Sequence, residues 1–127
     1  MLLKDTFEMQ VMKKDNDGVS LDLINDKIKM TACLRFGGCT LVDSNGLWAD
    51  GSKLFADESY RMIVAFNSDE NTLDHLLDLI KLELVGGNQE AVCFTVNGST
   101  SISSSVDEAR GDLKALLTTA NQGRRVG

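Results

Sequence analysis

Between Gly37 and Val96 the chain switches from strand-like to helix-like hydrophobic spacing and back, which limits its possible folds more than any other feature. GGCTLVDSNGLWADG and ADESYRMIVAF read as two strands joined by a long glycine-punctuated connection. Leu73, Leu76, Leu77, Ile80 and Leu84 then recur at helical spacing, and GGNQEAVCFTV closes the segment as a further strand.

The flanks complete the pattern. Thr6–Lys13 alternates Phe7, Met9 and Val11 with Glu8, Gln10 and Lys13, the period of a half-buried strand. Asp15-Asn16-Asp17-Gly18 is a turn, because these residues accept tight or left-handed backbone. A helix from about Ser20 places Leu21, Ile24, Ile28, Thr31 and Ala32 on one face and stops at Gly37-Gly38. Strands are expected near residues 6–13, 39–43, 60–66 and 90–96, and helices near 20–35 and 69–85. Ser68 or Asp69 is the expected cap of the second helix.

STSISSS (99–105) reads as a polar connector, and Asn97-Gly98 turns the chain into it. Ser105 with Glu108 is a capping-box pair for a last helix bearing Val106, Ala109, Leu113, Leu116, Leu117 and Ala120 on one side. NQGRRVG follows as a frayed tail. The implied class is α+β, a ferredoxin-like βαββαβ antiparallel sheet with an added C-terminal helix. Residues 1–98 form the βαββαβ unit, and 99–127 complete the same domain with connector, helix and tail. Such a sheet leaves one face open, and Ile63, Ala65 and Cys93 would make it partly apolar. Either the last helix crosses that face or a second copy does, so a homo-oligomer is expected.

Charge narrows the partners. Net charge is −6, and residues 39–98 hold ten acidic side chains against three basic ones. A phosphate-backbone binder needs basic stripes, so no direct nucleic-acid binding is expected. The start, MLLKDTFEMQ, has no long apolar run, and no segment approaches membrane-spanning length. The expected setting is the cytoplasm of a bacterium or a phage-infected host, with no membrane partner.

Chemistry is sparsely marked. There is no phosphate loop, nucleophile elbow or HExxH motif. Cys33, Cys39 and Cys93 show no CxxC spacing, and His75 is the only histidine. These four groups prepare neither a zinc site nor a Cys–His pair, and the thiols read as reduced and mostly buried. No cofactor or metal is expected, and no residue is assigned a catalytic role. The candidate ligand- or partner-binding residues are Trp48, Glu58, Gln89 and Glu90. An indole offers a flat surface and one N–H donor, and carboxylates and an amide add the directional bonds of a small-molecule pocket. The competing role is structural, with Trp48 plugging the core while Glu58 and Gln89 satisfy backbone groups.

On the same residues the sequence resembles a family of small bacterial and phage proteins of unknown function. Their pattern of G-x-W, a Glu at the next strand, then Q-E-A-V or Q-E-S-V is matched by Trp48, Glu58 and Gln89-Glu90-Ala91-Val92. The resemblance covers Gly37–Val96, about half the chain, and implies a ferredoxin-like fold without an activity. In layout alone the chain also resembles the nitrogen-control signalling proteins, trimers that bind nucleotides between subunits. This chain lacks their basic phosphate-contacting residues, with only Lys53 and Arg61 in the central region.

Three functions fit these features. The first is a non-enzymatic small-ligand- or protein-binding regulatory module that forms a homo-oligomer. The second is a phage or mobile-element accessory protein that inhibits a host defence factor by an acidic surface or by sequestering a signalling nucleotide. The third is a small enzyme using Glu58 or Glu90 as an acid–base group.

Overall fold

The structure, a computed structural model, describes the backbone of residues 1–126 and the side chains of 1–119. The elements run β1 (Asp5–Met12), α1 (Asp22–Phe36), β2 (Thr40–Asp50), β3 (Lys53–Phe66) and α2 (Thr72–Lys81). A π-helical turn (Leu82–Gly86) continues α2, and β4 (Val92–Val96), β5 (Ser99–Ser103) and α3 (Val106–Val126) follow. The strands form one sheet in the order β2-β3-β1-β4-β5, and every neighbouring pair is antiparallel. Without β5 this is the ferredoxin-like order expected from sequence.

The period-2 alternation of β1 puts Phe7, Met9 and Val11 on the helix side, opposite Val64, Met62 and Tyr60 of β3. Leu76, Leu79 and Ile80 of α2 and Ile28 and Ala32 of α1 close over them as one core. Full burial of side chains of this size contributes about 1.5–3 kcal/mol each, so the shared face of sheet and helices carries the fold. Helix α1 ends at Gly37, whose φ of 85° is the left-handed position glycine tolerates, with its amide bonded to the Cys33 carbonyl at 2.9 Å.

Five sequence expectations are corrected. The connector at 99–105 contains a strand: Asn97 (φ 50°) and Gly98 (φ 89°) make a tight turn, and β5 pairs with β4 from Val96↔Ser99 to Val92↔Ser103. The middle strands are longer than 39–43 and 60–66. Their hairpin runs from Thr40 to Phe66, and residues 45–58 project past the last β1–β3 pair, Met12↔Ser59. Neither Ser68 nor Asp69 caps α2; Asn71 holds that position, and Asp69 instead accepts the Asn71 amide at 2.8 Å in the turn before it. The last helix does not cross the open face. It lies beside α2 on the helix side, where Ala109 and Leu113 join the core and Asp112 accepts the Ser101 and Ser103 hydroxyls at 2.8 and 2.7 Å. Cys33 is exposed, and Cys39 and Cys93 are half-buried, so the thiols are less buried than expected. Burial, followed by the neighbouring Cys33, pushes the Cys39 thiol up.

The Ser105 half of the capping box forms, the Glu108 amide donating to Ser105 Oγ at 3.1 Å, while Glu108 Oε2 accepts the amide of Ser104, one residue earlier than the cap. The α3 backbone continues through residues 121–126 rather than fraying after Ala120, whose side chain lies outside the described residues. No described helix is long and apolar enough to cross a membrane.

Candidate functional site

The open face of the sheet carries the side chains that alternate with the core. Glu8 and Arg61 pair across β1 and β3 at 2.9 Å. One step toward the hairpin, Gln10 Nε2 donates to Ser59 Oγ at 3.2 Å, and Ser59 shares a 2.8 Å bond with Ser44. Gly46 leaves room for this amide, because a Cβ on it would sit 2.7 Å from Gln10 Nε2. At the projecting ribbon, Trp48 stacks on its cross-strand partner Phe55 with centroids 4.4 Å apart and planes 17° from parallel. Its indole N–H donates to Asp57 Oδ2 at 2.9 Å.

Where β1 ends and β4 begins, these residues face a cleft of about 470 Å3, within the range of small-molecule sites. Trp48, Asp57, Gln10 and Met12 line one side, and Glu83, Gln89, Glu90, Cys93 and Ile102 the other. Among the described residues its charged side chains are Asp57, Glu83 and Glu90, with no Lys or Arg. Of the four residues singled out from sequence, Trp48, Gln89 and Glu90 therefore meet at one cleft. Glu58 does not line it. One residue beyond Asp57, it alternates to the other side of the ribbon, pairs in register with Asn45, and gives its carbonyl to the Lys13 amide. Gln89 also has a local role, donating from Nε2 to the Gly87 carbonyl at 2.9 Å.

Glu83 escaped the sequence reading. It is 1% exposed, with Oε2 accepting the Met12 amide at 2.9 Å and Oε1 without a hydrogen-bond partner. Burial lifts its carboxyl to about 7, against the lowering effect of the Met12 amide. The π-helical turn places it there. Gly87 donates to the Leu82 and Glu83 carbonyls at 3.0 and 3.1 Å, and a Cβ on Gly87 would lie 2.5 Å from the Glu83 carbonyl oxygen. Such widened turns recur at functional sites. The available signal was a charged residue seven positions after Leu76, on the core side of the stripe. His75 lies against the Phe36 ring rather than beside a thiol. Among the described residues, no His, Cys, Asp and Glu side chains gather as a metal site.

No family model and no curated protein matches this sequence. Solved structures do match, two phage enzymes among them. A phage SAM lyase in complex with S-methyl-5'-thioadenosine superposes with a TM-score of 0.62 at 15% identity, covering 83% of this chain and 95% of that one. A phage SAM lyase in the apo state gives 0.59 at 14% identity, covering 81% and 90%. The chain has the fold of phage SAM lyases. At this identity the likeness establishes the architecture, and the side chains in the cleft have to carry any argument about ligands.

Proposed function

We propose that this protein binds a cationic adenosine derivative of the S-adenosylmethionine class in the open-face cleft. The observation that carries the proposal is the lining itself: among the described residues, three acidic side chains and no basic one, beside a Trp48–Phe55 stack. A sulfonium and an ammonium group are cations that carboxylates hold, and a purine has a face for an indole. A nucleotide phosphate would meet like charge with nothing to neutralise it, which disfavours the sequestered signalling nucleotide. The bound S-methyl-5'-thioadenosine of the similar phage lyase supports the same ligand class. In this form the regulatory-module and phage-accessory readings converge on a protein that withholds a host metabolite.

A second reading, that the sulfonium is also cleaved, is favoured by coverage of 95% of a SAM lyase chain. Breaking the sulfur–aminobutyrate bond sends its electron pair to sulfur while the substrate's own carboxylate oxygen bonds to the carbon released, so the products are neutral S-methyl-5'-thioadenosine and the amino lactone. A carboxylate-rich cleft stabilises the cation more than that neutral product. Binding alone therefore does not lower the barrier, which is why retention comes first here. The apolar hairpin ribbon supports assembly of several copies.

Calorimetry with S-adenosylmethionine, S-methyl-5'-thioadenosine and ATP tests the reading, with chromatography of each mixture for thioadenosine release. Binding of S-adenosylmethionine with no response to ATP is expected. Equal binding of ATP, or none of the sulfur compounds, overturns the proposal, and thioadenosine release selects the second reading.

A further inference from the structure

Among the described residues, two buried side chains keep polar atoms without a hydrogen-bond partner, the Asn25 amide of α1 and the Glu83 carboxyl, and of the two only Glu83 lines the cleft. A buried polar oxygen without a partner costs about 1–3 kcal/mol, and more when charged, so native structures rarely keep one without a use. Met12 satisfies only Oε2. Among the described residues, the groups around it offer no cation. Asp57 of β3 and Glu90 ahead of β4 share the cleft, and Asn16 follows β1. Ile24 of α1 meets the π-helical turn at Gly86, and Lys13 is committed to Asp43 at 2.9 Å.

We propose that Oε1 of Glu83 is the acceptor for the ligand's ammonium group and so decides between the charged sulfonium metabolite and its neutral thioadenosine fragment. The proposal rests on the ligand class put forward above and adds the residue that selects within it. A charge-assisted bond to a buried carboxylate is roughly twice as strong as a neutral one, and it would supply the partner the fold leaves out. The same geometry makes binding proton-linked. A Glu83 carboxyl held near 7 is about half protonated at neutral pH, and an arriving cation favours its ionised form. Binding therefore releases a proton, and affinity for the cation rises as pH passes upward through about 7.

Glu83→Gln tests this, because it keeps the side-chain shape and an acceptor for the Met12 amide while removing the charge. Calorimetry in buffers of different ionisation enthalpy should show proton release with S-adenosylmethionine in the wild type and none in the variant. Affinity for S-adenosylmethionine should fall about tenfold to a hundredfold, while S-methyl-5'-thioadenosine, which lacks the ammonium group, binds both proteins alike. Equal losses for both ligands, or no loss for either, overturn the assignment and leave the ligand class standing. If the wild type binds neither compound, the ligand class falls, and 1,4-diaminobutane serves as the bare ammonium probe. Its capture by the wild type and not by Glu83→Gln sustains the carboxyl's role, and no capture by either removes it. Should Glu83→Gln not fold, the pH slope of wild-type affinity decides alone, and a flat profile from pH 6 to 8 refutes the proposal.

Discussion

Trp48 is held at its N–H by Asp57 across the hairpin, 2.9 Å from indole nitrogen to carboxylate oxygen. The contact fixes the plane of the only tryptophan against Phe55 and turns one acidic residue of the ribbon toward the cleft. Both residues are at least partly accessible to solvent, so the bond contributes more to orientation than to stability.

Asp57→Asn separates those contributions. It keeps an acceptor for the indole and removes a charge from the cleft. Unfolding free energy should move by no more than about 0.5 kcal/mol, while affinity for S-adenosylmethionine falls severalfold. Trp48→Phe should preserve the stack and lose the N–H bond. Chemical denaturation and calorimetry on the two variants read both quantities, and unchanged ligand affinity in both would remove the ribbon from the site.

Gly46→Ala should narrow the same region. The new Cβ meets Gln10 Nε2, the far end of a flexible side chain, so Gln10 can move aside and the stability cost should be about 1 kcal/mol. Moving it breaks the bond to Ser59 and pushes the amide into the cleft. Adding Gln10→Ala should restore stability to the double variant. A cost that persists there would place the strain in the backbone instead.

How much of this was legible depends on whether the signal was local. The helix stripes and the β1 alternation identified the sheet, two of its covering helices and its strand order, because each periodicity reports its own burial. Asn97-Gly98 is the strongest short hairpin signal in the chain, yet the serines after it obscured β5. Their hydroxyls are satisfied by Asp112 from α3, a partner that no local pattern reveals. At the site, Trp48, Gln89 and Glu90 stood out by type. Choosing Asp57 over Glu58 needed the hairpin register, since a shift of one residue exchanges the faces. Glu83 needed the π-helical turn. The regular spacing that leads to Ile80 and Leu84 cannot encode that turn, because it adds a residue to the helical repeat.

Glu83 also makes stability depend on pH. Its folded carboxyl sits near 7 against 4.5 when free, so between those values the folded state holds more proton than the unfolded chain. Stability from this group is complete below about 4.5, declines as pH rises toward 7 and is lost above it, amounting to roughly 3 kcal/mol at most. Urea unfolding of wild type and Glu83→Gln at pH 5 and pH 8 isolates the contribution from other titrating groups. The wild type should lose more stability than the variant on going to pH 8, and parallel losses would place Glu83 in a more solvated setting.

Asp5 governs the opposite end of the sheet. Fully buried, it accepts the Ser68 amide and hydroxyl at 3.1 Å each and the Asn97 side-chain amide at 2.9 Å. It thereby ties β1 to the approach to α2 and to the β4–β5 turn. Asp5→Ala should cost about 2–4 kcal/mol and leave ligand selectivity in the folded fraction unchanged, because three donors from two other segments lose one buried acceptor together. A loss below about 1 kcal/mol by denaturant titration would mean that water replaces the carboxylate.

The projecting hairpin carries the case for assembly. A two-stranded ribbon is marginal in water by itself, and residues 45–58 have no third strand beside them. Yet both ribbon faces are apolar: Trp48 and Phe55 lie on one, and Leu47 and Leu54, 67% and 73% exposed, on the other. Leu47 also lines the cleft, so Leu54 and the ribbon around it are the expected surface for another copy. A stable contact needs about 1,200–2,000 Å2 of total buried area, which requires the ribbon to lie along a neighbour rather than touch it at the tip. Native mass spectrometry at micromolar concentration should report more than one chain, and Leu47→Glu with Leu54→Glu should give a folded monomer. Wild-type protein that is monomeric across that range refutes the assembly. A double variant that keeps the wild-type subunit number would instead move the interface off this face of the ribbon.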